Sequence, residues 1–119
     1  MNYEKWIEAL RSGEYEQTTG VLRNEKGYCC LGVLCDIYNK ETGEGGWIQY
    51  AGDGYSFNGL EVYPPDEVCR WTGMENIHSI LSLDGETLIG QNDGGVPFNE
   101  IADVIERHFK EQTDESKRI

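Results

Sequence analysis

Basic residues are scarce in this sequence: ten lysines and arginines stand against 22 aspartates and glutamates in 119 residues, a formal net charge of −12. A surface that binds nucleic acid needs clustered cations to displace counterions from phosphates, so no direct binding of DNA or RNA is expected. Long apolar runs are missing too. The longest stretch without an acidic or basic residue is nine residues, Gly27 to Cys35, and a membrane helix takes about 18 or more. No membrane association is expected. The opening Met1-Asn2-Tyr3-Glu4-Lys5-Trp6 has neither the basic start nor the apolar core of a secretory signal, so the expected location is the cytoplasm.

The short motifs that announce catalysis or a cofactor are equally absent. There is no Gly-x4-Gly-Lys-[Ser/Thr] or Gly-x-Gly-x2-Gly phosphate loop, no His-Glu-x2-His, and no EF-hand loop at Asp53 or Asp84. Cysteines occur at 29, 30, 35 and 69, and Cys-Cys-x4-Cys contains no Cys-x2-Cys pair of the kind that zinc prefers. The expectation is therefore no metal and no cofactor, with reduced thiols packed in the interior. One catalytic alternative survives: Cys29 or Cys30 at a helix start, served by His78 or His108 as base, would make a cysteine-dependent hydrolase. His108 is equally explained as a cation near a helix C-terminus.

Among the patterns present, the clearest are helical. Tyr3, Trp6, Ile7 and Leu10 recur at helical spacing between a candidate cap, Asn2, and a stop at Gly13. From Tyr28 to Asn39 apolar residues occupy almost every side of the wheel with Asp36 as the lone charge, which predicts a buried central helix. Gly32 on it would allow a close neighbour. Phe98, Ile101, Val104, Ile105 and Phe109 form one stripe on a last helix ending near Lys110. Between these, a strand is predicted near Gly20 to Arg23 before an Asn24–Gly27 turn. Alternation predicts strands at 47–50 and 60–63, Pro64-Pro65-Asp66 opens a short helix that Gly73 ends, and 86–91 reads as a strand leading into Asn92-Asp93-Gly94-Gly95. The fold class expected is α+β: one small domain over residues 1–111, its buried central helix packed with N- and C-terminal helices and a small antiparallel sheet. Residues 112–119 are expected to be a flexible tail.

The excess charge is localised. Residues 41–106 hold thirteen acids and a single base, Arg70, while the flanking segments cancel. Such asymmetry suits either a solvated surface or a field that attracts basic partners.

Trp6-Ile7-Glu8-Ala9-Leu10-Arg11-Ser12-Gly13-Glu14-Tyr15-Glu16-Gln17, Gly27-Tyr28-Cys29-Cys30-Leu31-Gly32-Val33-Leu34-Cys35-Asp36, and Gln91-Asn92-Asp93 with Pro97-Phe98-Asn99-Glu100-Ile101-Ala102-Asp103-Val104-Ile105-Glu106 occur in that order. Together they resemble a family of small, acidic, uncharacterised proteins encoded by bacteriophages and prophages. The resemblance implies a phage accessory protein working in the host bacterial cytoplasm, of the size typical of counter-defence proteins that act by binding rather than by turnover.

Candidate ligand-binding residues follow from chemistry. Trp47, Tyr50, Tyr55 and Phe57 lie in a glycine-rich segment whose rings could stack a base. Gln17, Asn92 and Asp93 offer polar groups beside the central helix. Arg11 either pairs with Asp36 or Asp93 or binds a ligand phosphate, and Arg11, Arg23 and Arg70 are the only arginines away from the C-terminal end. The leading expectation is a non-catalytic protein that sequesters a small nucleotide-derived immune signal. The alternatives are an acidic inhibitor that occludes a basic host defence protein in the manner of a nucleic-acid mimic, and the cysteine hydrolase. Homo-oligomerisation stays open.

Overall fold

The computed structural model describes residues 2–49, 52, 54–73, 82–83 and 86–117, with backbone alone for 82–83, 86–87 and 110–117. Its elements run α1 (Tyr3–Arg11), β1 (Arg23–Asn24), β2 (Gly27–Tyr28), α2 (Cys30–Thr42), β3 (Trp47–Gln49), β4 (Tyr55–Phe57), α3 (Asp66–Trp71), β5 (Ser82–Leu83), β6 (Glu86–Thr87), α4 (Leu88–Asp93) and α5 (Phe98–Lys117). The expected α+β class holds, with α2 as its spine. Among the described residues the expected small sheet takes the form of three antiparallel two-stranded hairpins, β1–β2, β3–β4 and β5–β6.

Every residue of α2 from Cys30 to Tyr38 is buried, as an all-round apolar helix requires. The apolar face of α1, Trp6, Ile7 and Leu10, and the stripe Phe98, Ile101, Ala102, Ile105 and Phe109 of α5 join it in one core. The Trp6 indole N–H donates to the Cys30 carbonyl at 2.9 Å, and the rings of Tyr3 and Phe109 stack at 3.9 Å. Gly32 is where the chain crosses closest: a Cβ there would collide with the Leu22 carbonyl, which accepts the Cys29 N–H at 3.0 Å.

Several boundaries differ from expectation. The strand expected near Gly20 to Arg23 begins only at Arg23, because Leu22 turns inward and bonds Glu61 and Cys29 instead of a strand partner. The Asn24–Gly27 turn is as expected, with Asn24 Oδ1 accepting the N–H groups of Lys26 and Gly27. No strand forms at 60–63. Asn58 and Gly59 both take positive φ (51° and 86°), folding Leu60 back onto Phe57, so β4 lies before the turn. Residues 88–93 are helical rather than extended, because Leu88, Gln91 and Asn92, at helical spacing, all turn inward. Asn2 does not cap α1; its Nδ2 donates to the Trp71 carbonyl at 2.9 Å and ties α1 to α3. The last helix continues past Lys110 to Lys117.

Candidate functional site

The β1–β2 hairpin places Arg23 directly across from Tyr28, and an antiparallel bridge between Asn24 and Gly54 brings β4 alongside. Tyr55 and Trp47, placed diagonally across the β3–β4 hairpin, thereby meet the same arginine. The Arg23 guanidinium carbon lies 4.1 Å from the centre of the Tyr55 ring, 5.0 Å from Tyr28 and 5.3 Å from Trp47. The rings meet edge to face, Tyr28–Trp47 at 5.9 Å and Trp47–Tyr55 at 6.5 Å, with Tyr15 against Tyr28 at 5.0 Å. Cation–π contact places the guanidinium without neutralising it. Among the described residues Arg23 makes no ion pair. Its head borders an open cleft of about 270 Å³ that Tyr28, Tyr55, Lys26, Glu14, Glu16 and Glu25 also line.

Asp36 anchors this cluster to the spine. Its side chain is buried, and a buried carboxylate requires partners. It accepts the Tyr15 hydroxyl at 2.6 Å and the Trp47 indole N–H at 3.1 Å, and Lys40 one turn on pairs with it at 3.1 Å. Burial, reinforced by the bond to Asp36, raises the Tyr15 hydroxyl to about 12.

The structure divides the expected ligand-binding set. Trp47 and Tyr55 join the arginine cluster. Phe57 is fully buried beneath them, 5.1 Å from Trp47, and presents no face to a ligand. Tyr50 lies outside the described residues. Gln17 and Asn92 meet, but in an interior latch: Asn92 Oδ1 accepts Gln17 Nε2 at 2.9 Å and the Cys30 N–H at 3.2 Å, and its Nδ2 donates to the Thr18 carbonyl at 2.8 Å. Gln17 also donates to the Val96 carbonyl, and Asp93 accepts the Gly20 N–H at 3.0 Å. Arg11 pairs with neither Asp36 nor Asp93. It grips Asp103 at 2.6 Å and Glu106 at 3.2 Å on α5, and these raise its pKa. A larger cleft of about 600 Å³ runs beside it along α1, with this guanidinium already engaged.

Tyr28 and Asp36 are site residues the sequence does not single out, and Arg23 stands there only as one of three arginines that could meet an anion. A signal for each existed: Arg23 and Tyr28 flank the Asn24–Gly27 turn and so had to face each other, and a lone acid on an apolar helix has to find donors.

All four cysteines are free and buried. Cys29 sits at the N-terminus of α2, where the N–H groups of Leu31 and Gly32 lower its pKa, but burial outweighs them and pushes it up to about 11. Burial also raises Cys69 to about 11 and holds Cys30 and Cys35 well above the usual thiol range. His78, one of the two proposed bases, lies outside the described residues. No group of three metal-ligating side chains occurs among the described residues, and no described helix is long and apolar enough to cross a membrane.

The family model of DUF8296, a domain of unknown function, matches residues 2–109. The chain belongs to that family. Neither a curated protein nor a solved structure matches it. The DUF8296 match contains the whole arginine–aromatic cluster and ends at Phe109, the last core residue of α5.

Proposed function

We propose that this protein is a non-catalytic binding protein that takes a small, planar, anionic molecule of the nucleotide type in the Arg23–Tyr28–Tyr55 cleft and releases it unchanged. The observation that carries this reading is Arg23 itself: its guanidinium is held 4.1 Å over Tyr55 and pairs with no described carboxylate. Its N–H fork is thus free for a phosphate or carboxylate, and neighbouring ring faces can stack a base for about 1–3 kcal/mol each. Buried, protonated thiols support the absence of covalent turnover. In the bacteriophage setting implied by the motif resemblance, the ligand is a nucleotide-derived immune signal, and holding it in the host cytoplasm is counter-defence.

The test is equilibrium dialysis of the full chain against mononucleotides and cyclic nucleotides, followed by heat release and mass spectrometry. Binding that is lost in Arg23→Ala and Tyr55→Ala, with intact ligand released, supports the reading. Failure of every nucleotide to bind, or release of a hydrolysed product, overturns it. Capture of a basic protein that washes off steeply with salt would favour the acidic-inhibitor alternative instead.

A further inference from the structure

We infer that the Arg23 cleft selects ligands carrying a single negative charge over polyanions, an inference that rests on the binding reading above. The cleft is lined by two cations, Arg23 and Lys26, and three carboxylates, Glu14, Glu16 and Glu25, so its lining carries one net negative charge. None of the three acids forms an ion pair among the described residues. Arg11 is different: two carboxylates neutralise it where it stands.

One anionic group seated on the Arg23 fork gains a charge-assisted, bidentate contact. Further charges on the same ligand extend from that seat toward the acidic rim. At physiological salt, interactions beyond about 8 Å are largely screened, so the charges within the cleft decide the preference rather than the net charge of the chain. Its volume, about 270 Å³, lies at the small end for ligand pockets and suits one ring system with one charged group. The ligand class is thus a planar ring bearing a singly charged phosphodiester or carboxylate.

Calorimetric titration of the full chain without divalent cations tests this, using adenosine, its 3′,5′-cyclic monophosphate, its 5′-monophosphate and its 5′-triphosphate, and the same series built on guanosine. In at least one series the cyclic monophosphate should bind about tenfold or more tightly than the triphosphate, and more tightly than the nucleoside. The triple variant Glu14→Gln, Glu16→Gln, Glu25→Gln, checked for native circular dichroism, should gain triphosphate affinity and narrow the ratio. A triphosphate that binds as tightly as the cyclic form, or an unchanged ratio in the triple variant, overturns the inference while leaving the cleft reading standing. A nucleoside that matches the cyclic form shows that the Arg23 fork seats no anion and overturns the inference and the cleft reading together. Absence of binding by every member overturns both.

Discussion

The indole N–H of Trp47 donates to the carboxylate of Asp36 at 3.1 Å, joining the glycine-rich segment to the central helix through a single buried oxygen. The second oxygen of the same carboxylate accepts Tyr15 and pairs with Lys40. One side chain of α2 thus holds Trp47, which packs against Arg23, and Tyr15, which packs against Tyr28 behind it. The candidate site is supported by the core instead of resting on mobile loops alone.

Asp36→Ala should therefore cost about 1–3 kcal/mol, because it leaves the Trp47 and Tyr15 donors without their acceptor. Urea denaturation measures the loss, and near-ultraviolet circular dichroism should show the aromatic signal weakened before unfolding. Asp36→Asn, which keeps an acceptor, should lose less. An unaltered aromatic spectrum in Asp36→Ala would refute the anchoring role.

Asn92→Ala should be among the most damaging single changes, costing about 2–4 kcal/mol. It strands the Cys30 N–H and the Thr18 carbonyl in the interior and leaves the Gln17 amide with Val96 alone. Chemical denaturation measures it, and a loss within about 0.5 kcal/mol, the range of an ordinary surface change, would count against the latch.

The thiols set an alkaline limit. Cys29 and Cys69 have folded pKa values of about 11 against an ordinary value of 9.0, so between these values the unfolded chain loses protons that the native state keeps. Stability should be fully present below about pH 9 and decline as pH rises toward 11. At neutral pH, alkylation of the native protein should be slow at all four cysteines and become rapid once denaturant is added. Fast native labelling would show a thiolate that burial does not suppress, and would reopen the hydrolase alternative.

The two arginines should separate cleanly. Arg11→Ala removes a surface pair and should change stability by about 0–1 kcal/mol, with nucleotide binding intact. Arg23→Ala should also change stability little, about 0.5–1 kcal/mol for the lost ring contacts, but should abolish binding. Arg23→Lys, lacking the planar fork, should not restore it. Parallel melts and titrations of the three variants decide the matter.

Periodicity alone determined where α1, α2 and α5 lie, that α2 is the spine, and that Gly32 marks a close crossing, because burial writes itself into local spacing. The Asn24–Gly27 turn and the short helix after Pro65 were legible for the same reason: turn and cap chemistry acts within a few residues. Tertiary structure decided the rest. Whether an arginine is neutralised or available depends on what lies across from it, and the partners of Arg11 are 92 and 95 residues away. Likewise, Tyr55 and Phe57 lie two apart on β4 and share a face of the strand, and only the tertiary packing decided that Phe57 would be fully buried while Tyr55 lined the cleft. Residues 88–93 became a helix because Leu88, Gln91 and Asn92 found a buried surface to meet, a surface formed by segments more than fifty residues earlier.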